Sequence, residues 1–440
     1  MKAIEIVQHL REGGFQAFFV GGAVRDTLLK IPYSDIDIAT NAKPDQVLKL
    51  FKENKAKQTG KSFGVVRVGG IEVSTFRTDS YLGLRDKDVE IKFSDTIEED
   101  LQRRDFTINA MAMCPTTGET IDPLGGKDDL ENKIIRFTHN PEHRIFEDPN
   151  RIIRACRFRA KINGEFEKET KEALIQYADY VNKYVDKERI RFEILKAMSI
   201  PNASLFFKSL HEIGALIYIL PSLENCFEFP GGWWHNEDVF THAMAVGDAI
   251  DPRFKYLKLV GYVHDVGKPI SAFINKYDDF SFKGHDRDGA KVLSCELRKL
   301  KFSNWEIKYI NDVVRLHMHL IEERMKPKAV RRYLIKLRDC HIDYRDMVRL
   351  RIADKKGNSK DKNYTLKEIQ TIIEVIRKEV DQKSDRLELK ISGKDIMRII
   401  GIPQGKEVGK VKRYLEEIVV DDPSVNTPEK LKEVLWSMRE

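Results

Sequence analysis

Hydrophobic and polar positions divide the chain into two regimes. Over roughly the first hundred residues the apolar period switches repeatedly between that of a helix and that of a strand. Ile4–Leu10 has helical spacing, Ala17–Val20 reads as a short buried strand, Gly21–Gly22 as a turn and Val24–Leu29 as a helix. Asp35–Ala39 alternates polar and apolar residues as a strand does, and Val65–Val68, Glu72–Phe76 and Val89–Phe93 add three strands with β-branched content. These elements predict a small mixed sheet flanked by helices. From about Glu98 onward strand signals almost vanish, and Glu147–Ala160, Lys168–Tyr177, Lys187–Ala197 and Ala203–Leu210 predict helices. Pro221 and the Pro/Gly/Trp stretch Phe229–Trp234 mark a boundary before another helical unit, which runs to about Asn358. A polar segment, Lys355–Asn363, leads into a helical C-terminal portion. The expected class is therefore α+β: a small mixed β-sheet head over residues 1–137, followed by an all-α neck over 138–228, a further helical domain over 229–358 and a helical tail over 359–440.

Composition narrows this picture without changing it. At 440 residues the chain is too long for one core, and a prior near 150 residues per domain suggests about three. Hydrophobic content of 41% and charged content of 33% describe a soluble globular chain. No run approaches the ~18 apolar residues of a membrane span, and Met1–Arg11 lacks the layout of a signal peptide. The expectation is a cytoplasmic protein with no membrane partner. The five cysteines (Cys114, Cys156, Cys226, Cys295, Cys340) are scattered and never form a C-x-x-C pair. They argue against a disulfide framework or a zinc–thiolate site and for a reducing compartment. The net charge of +6 suits a polyanionic partner but also an ordinary solvated surface. Its distribution says more, because basic clusters recur at Arg103–Arg104, Arg151–Arg159, Lys187–Arg191 and Lys326–Arg332.

Candidate chemistry begins at Gly21-Gly22-Ala23-Val24-Arg25-Asp26, followed by Ser34-Asp35-Ile36-Asp37-Ile38. Alternate strand residues point to the same side, so Asp35 and Asp37 project together. Two carboxylates that close repel unless a cation lies between them, and hard oxygen ligands favour magnesium. The Gly-Gly turn before a helix allows backbone N–H groups to approach a triphosphate. Such a pair can serve an in-line displacement in which a 3′-hydroxyl attacks and pyrophosphate leaves. Glu72, on a neighbouring strand, is a candidate third carboxylate. A lone D-x-D is weak evidence; the Gly-Gly turn just upstream strengthens it.

The segment VGGAVRDTLLKIPYSDIDIAT resembles the signature of the nucleotidyltransferase branch that holds the class II CCA-adding enzymes and bacterial poly(A) polymerases. RRDFTINAMA (103–112), IDPLGGKDDLENKIIRF (121–137), EDPNRIIRACRF (147–158) and ERIRFEI (188–194) are similar to the further motifs of that family, in order. The resemblance covers about the first 220 residues. It implies that Asp35 and Asp37 bind catalytic Mg²⁺, that Gly21, Gly22, Arg25 and Asp26 hold the triphosphate, and that Arg104, Asp105 and Asn109 belong to the sugar- and phosphate-contacting motif.

Glu147-Asp148-Pro149-Asn150-Arg151 can be read on its own chemistry. Pro149 suits the first turn of a helix, Glu147 and Asp148 suit its positive end, and Asp148 and Arg151 three apart would share a face. Cytosine and adenine each show an amine donor beside a ring-nitrogen acceptor on the pairing edge; uracil and guanine show the reverse. An ionised Asp only accepts and an Arg only donates, so one Asp–Arg pair binds C and A while rejecting U and G. In isolation the spacing describes a capped helix with an i,i+3 salt bridge; after the upstream motifs it reads as base recognition, the role the resemblance also implies. Arg154 and Arg157 extend the same helix, either bracing that pair, contacting phosphate or facing solvent. Glu188 and Arg189 read as a structural brace.

A third constellation is made of histidines and aspartates: His242, His264-Asp265, His285, His317 and Asp354, each in or beside a helical segment. Adjacent His264 and Asp265 between Val263 and Val266 are not explained by amphipathic packing, and buried unpaired each would be costly. Imidazole and carboxylate suit a divalent metal, with Mn, Ni, Mg and Fe all open. The order resembles the HD phosphohydrolase superfamily over about residues 235–356. It implies His242, His264, Asp265 and Asp354 at a first metal, with His285 and His317 (His319 the less favoured neighbour) completing a second position or contacting phosphate. It further implies phosphodiesterase or phosphatase action on phosphorylated RNA ends. Lys268 could neutralise a phosphate or lie on the surface. Trp233-Trp234 suits core or interface packing. In the tail, Gly393, Gly401 and Gly409 with Lys394, Lys406, Lys410 and Lys412 fit either RNA-backbone contact or ordinary helix packing.

The function expected from these motifs is template-independent addition of C and A to tRNA 3′ ends from CTP and ATP, with a second, hydrolytic site. A poly(A) polymerase is one alternative. Partial addition, CC-only or A-only, is another: the segment Phe76–Ile91 holds the place of the family's flexible loop and carries Arg85, but is slightly short, with Gly83 where an acidic residue is usual. A protein acting mainly as an HD phosphohydrolase on RNA ends is the alternative of a different class. Oligomeric state has no signature in the sequence.

Overall fold

The computed structural model describes residues 1–32, 36–54, 56–58, 64–81, 89–232, 236–319, 326–358, 374 and 388–439. They form two compact units, one of Met1–Glu224 with Arg298–Phe302, the other of Asn225–Leu297 with Ser303–Glu440.

The first unit is built on a seven-stranded mixed sheet. Its strands are β1 (Ala17–Val20), β2 (Asp37–Thr40), β3 (Lys57–Gln58), β4 (Val65–Val68), β5 (Ile71–Thr75), β8 (Ala112–Met113) and β9 (Thr120–Ile121), in the order β3-β4-β5-β2-β1-β8-β9. The β2–β5 pair is parallel and the other pairs are antiparallel. Its register places Asp37 beside Glu72. The apolar run of β1 is explained by its central place: Ala17, Phe19 and Val20 are buried. Helix Ala3–Glu12 turns Ala3, Ile6, Val7 and Leu10 inward at helical spacing.

Three expectations need correction. Val89–Phe93 (β7) does not join the sheet; it pairs with β6 (Arg77–Tyr81) as a separate antiparallel hairpin. Strands do not end near residue 98, because β8 and β9 complete the sheet; at two residues each they are too short to show a period. The single helix expected over 147–160 is two helices, Pro141–Glu147 and Arg151–Ile162. Between them Asp148 is extended (φ −150°, ψ 96°), a conformation favoured before proline. Asp148 and Arg151 therefore do not share a helical face.

The neck helices of this unit pack Ile152, Ile153, Cys156, Ile190, Ile194, Phe206 and Phe207 into one interior. Arg157 and Arg159 are buried with them, and each requires an acidic partner there.

The second unit is mainly helical, but not all-α as expected: Phe273–Ile274 and Phe280–Ser281 form a short antiparallel ribbon. Val239–Asp248, Lys255–Val263, His285–Lys299, Asn304–Leu316 and Tyr344–Gly357 are its main elements around the histidines. The tail has its own apolar cluster: Ile391, Ile396, Ile399, Leu415, Val419, Leu431 and Leu435. Ser392 caps the helix Gly393–Ile400 in a reciprocal box with Asp395, and Gly401 closes it at φ +79°. Among the described residues no helix is long and apolar enough to cross a membrane.

Candidate functional site

In the first unit a cavity of about 820 Å³ opens at the end of β2. Gly21, Gly22, Arg25, Asp26, Asp37, Arg104, Asp105, Asn109, Asp148, Arg151, Arg154 and Arg157 all line it. Asp35 lies outside the described residues. Glu72 neighbours Asp37 in register, but its carboxylate meets Arg67 at 2.6 Å and is half exposed. It is not among the lining residues.

Gly21 has φ +65°, and a Cβ there would stand 2.9 Å from Arg104 Nη1. The turn therefore needs glycine for its conformation and for the approach of an arginine. From the following helix, Arg25 donates through Nη1 to Asn109 Oδ1 (2.6 Å) and through Nε to Asp26 Oδ1 (2.8 Å). Lys161 Nζ reaches the other Asp26 oxygen at 2.8 Å. Asn109 Nδ2 donates to Asp105 Oδ1 at 3.1 Å, and Asp105 Oδ2 accepts both Nε and Nη2 of Arg154. Burial opposes charge on Asp105, but Arg154 outweighs it and holds the carboxyl down at about 2. Arg154 and Arg157 in turn pair with Glu193. These two arginines thus brace the wall from the neck to Asp105.

The template candidates face the same cavity without pairing to each other. Arg151 Nη1 donates to Glu147 Oε2 and to the Arg144 carbonyl, and its guanidinium lies 6.0 Å from the Tyr81 ring. Asp148 Oδ2 accepts from Arg189 Nη2 at 2.8 Å. The i,i+3 salt bridge that the spacing suggests is replaced by two pairs with other residues. Arg77, Tyr81, Arg103, Lys161 and Lys196 also line the cavity, beyond the residues that the motifs point to. Arg103 opens the RRDFTINAMA motif, and Arg77 and Tyr81 lie in the segment Phe76–Ile91; Lys161 and Lys196 carry no motif by themselves. Nine Lys and Arg side chains against five Asp make the lining cationic, which suits a triphosphate. The loop carrying Gly83 and Arg85 lies outside the described residues, as does Trp233-Trp234.

In the second unit the six histidine and aspartate candidates converge. Asp265 Oδ2 lies 3.2 Å from His264 Nε2, 3.9 Å from His242 Nε2 and 2.7 Å from Lys268 Nζ. Its Oδ1 lies 3.3 Å from His285 Nε2 and 3.6 Å from His317 Nε2. Asp354 Oδ1 meets His242 Nε2 at 3.1 Å. His242, His264, Asp265, Lys268 and His285 are buried. Lys268 is therefore not a surface lysine.

The tautomers are fixed by the backbone. Nδ1 of His264, His285 and His317 faces the carbonyls of Gly261 (2.9 Å), Phe282 (2.7 Å) and Val314 (2.5 Å). Each Nδ1 must be protonated to donate, which leaves each neutral ring with an Nε2 lone pair aimed at the cluster. His264 Nε2 is buried without a hydrogen-bond partner. His285 and His317 set their Nε2 atoms 3.2 Å apart, so a proton or another cation must lie between them. Burial opposes charge on His285, yet Asp265 raises its pKa; burial lowers that of His317. Burial also opposes charge on His242, but its bonds to Asp354 and Glu237 lift it to about 9. Asp265 is held well below the usual carboxylate range against its burial, by His264 and Lys268. The groups His242, His264, Asp265 and Asp265, His285, His317 each have metal-ligating atoms within 4.8 Å of one another. Imidazole Nε2 atoms converging on one ionised carboxylate are a donor set that fits a divalent metal. His319, by contrast, accepts from Lys336 at 3.1 Å and stacks on Tyr333.

Comparisons with known proteins bear on both units. Residues 17–136 match the family described as the poly A polymerase head domain, 165–227 that described as the probable RNA- and SrmB-binding site of polymerase A, and 289–435 that described as tRNA nucleotidyltransferase domain 2. A CCA-adding enzyme of Ligilactobacillus salivarius (strain UCC118) is 30% identical over 442 residues, covering 98% of this chain and 95% of its own. One of Geobacillus sp. (strain WCH70) is 42% identical over 228 residues, 51% of this chain and 55% of that relative, so this match spans about half of each. The crystal structure of the Bacillus stearothermophilus CCA-adding enzyme in complex with CTP aligns with a TM-score of 0.71 at 25% identity, covering 100% of this chain and 98% of that one.

Proposed function

Because the chain belongs to the family of the CCA-adding enzymes, we propose that it adds C and A nucleotides to tRNA 3′ ends from CTP and ATP, in the cytoplasm and without a nucleic-acid template. What carries this reading is that Asp37, the Gly21–Gly22 turn, Asp148 and Arg151 line one cavity. In the reaction the RNA 3′-hydroxyl oxygen bonds to the α-phosphorus, the bond to pyrophosphate breaks, and the hydroxyl proton leaves to water. Mg²⁺ held by Asp35 and Asp37 would supply the Lewis acidity for this displacement. Arg25, Arg104 and Lys161 match the triphosphate charge, Asp105 and Asn109 lie at the sugar, and Asp26 orients Arg25 and Lys161. Asp148 accepts the base amine and Arg151 donates to the ring nitrogen, which selects C and A over U and G. Exchanging Asp148 for Ala and assaying all four triphosphates tests this: CTP and ATP should lose their advantage, and unchanged selectivity would refute base reading. Poly(A) addition or CC-only addition would appear in the same assay as long A tails or as products ending in C.

A second activity is favoured by the convergence of His242, His264, Asp265, His285, His317 and Asp354. The reading it supports is a metal-dependent phosphohydrolase or phosphodiesterase acting on phosphorylated RNA ends. His242, His264, Asp265 and Asp354 would hold a first divalent metal, with His285 and His317 at a second position. Such a metal would polarise a phosphoryl oxygen and supply a nucleophile near neutral pH. Lys268 orients Asp265 through its 2.7 Å contact. Release of phosphate or opening of a 2′,3′-cyclic-phosphate end, lost in His264→Ala, is the expected result. Absence of activity with every divalent metal would reject it.

A further inference from the structure

Asp148 is held by an element outside its own segment. It sits extended between two helices, its amide closing the first of them on the Arg144 carbonyl at 3.4 Å. Its Oδ1 accepts the Asn150 amide at 3.0 Å, and its Oδ2 accepts Arg189 Nη2 at 2.8 Å. Arg189 belongs to the helix Lys187–Ala197, and among the described residues it is outside the lining of the cavity that Asp148 and Arg151 share. The Asp148 side chain is 13% exposed and that of Arg189 35%.

We propose that Arg189 is a positioning residue for base selection, fixing the Asp148 carboxylate so that its remaining lone pairs face the nucleobase. This inference rests on the base-reading role of Asp148 and Arg151. A carboxylate offers about four acceptor directions, and the amide and the guanidinium engage two. Those left over define an edge, and recognition of a planar base depends on that edge staying in the plane of Arg151. A guanidinium suits the task because it donates only and keeps its charge, so it cannot reverse the pattern that Asp148 presents. Arg151 is fixed in parallel by Glu147, which is itself held by Arg144. The two reading side chains thus each have a partner of opposite charge, and the partner of Asp148 comes from the neighbouring helix.

The test is steady-state kinetics of single-nucleotide addition to a tRNA lacking CCA, using Arg189→Ala, Arg189→Gln, Arg189→Lys and Asp148→Ala. Arg189→Ala should lower kcat/KM for CTP about tenfold or more and shrink the CTP-to-UTP ratio. Arg189→Gln should behave similarly, and Arg189→Lys should restore part of the ratio. A merely structural brace would lower all four triphosphates together and leave the ratio in place, which would overturn the inference. Tighter CTP binding in Arg189→Ala would also overturn it, because Arg189 would then compete with the base. If Asp148→Ala itself leaves the ratio unchanged, the base-reading role fails; if only Arg189→Ala does, the failure belongs to Arg189. Should Arg189→Ala not fold, the Gln and Lys variants carry the same comparison.

Discussion

Gly21 and Asp105 show how single residues shape the cavity of the first unit. At φ +65° and ψ −125° a residue with a Cβ is strained by about 1–3 kcal/mol, and Arg104 crowds the same point. Gly21→Ala should therefore lower kcat/KM for CTP by roughly tenfold or more at little change in overall fold, as read by nucleotide addition beside circular dichroism. Asp105 carries a pH signature. Its folded pKa of about 2 lies below the ordinary 3.8, so its stabilisation is present above the ordinary value and is lost as pH falls toward 2. The size is on the order of 2 kcal/mol. Urea midpoints measured between pH 5 and pH 2 should fall in the wild type by a component that Asp105→Asn lacks. An identical acid dependence would show that the Arg154 pair does not hold Asp105 down. Most of these side chains are legible in the sequence, because paired glycines and alternating aspartates packed into a short stretch serve neither a core nor a regular helix. Their partners are not legible. Arg154 meets Asp105 across 49 positions and Arg189 meets Asp148 across 41. Buried arginines find acids through folding, and no local spacing encodes that.

At the scale of elements, what matters is where helices stop. The break at Asp148–Asn150 removes the shared face that spacing suggests and replaces it with a cavity wall that both residues reach separately. Pro149 is visible in the sequence, and its steric pressure on the preceding residue overrides the helical periodicity of the apolar positions around it. In the second unit, His264, His285 and His317 each turn Nδ1 to the carbonyl three residues earlier. The histidine pattern is legible; this orientation is not, because it depends on how each segment begins or ends. Gly267 fixes one of those ends. A Cβ there would meet the His285 carbonyl oxygen at 2.0 Å and the Gly289 amide nitrogen at 2.7 Å, both backbone atoms. Gly267→Ala should therefore force the His264–Lys268 turn away from His285. Metal retained per chain after dialysis, measured by elemental analysis, should fall at least several-fold. Full retention would show that the turn is not what closes the cluster.

The two proposed chemistries fall in two separately compact units. The mixed sheet, strand β7 and the helical continuation follow from the apolar period, whereas the short strands β8 and β9 and the pairing of β7 with β6 outside the sheet do not, since pairing partners rather than period define them. Division of labour predicts a double dissociation. Asp37→Ala should reduce nucleotide addition by a factor of a hundred or more while phosphate release persists, and His264→Ala should do the reverse. Loss of both activities in either variant would contradict independent sites. The central claim is tested most directly by sequencing the 3′ ends of tRNA ending before CCA, after C or after CC, each incubated with this protein, CTP, ATP and Mg²⁺. The account predicts that all three end in CCA and extend no further; substrates left unextended, or extended with A alone, would contradict it.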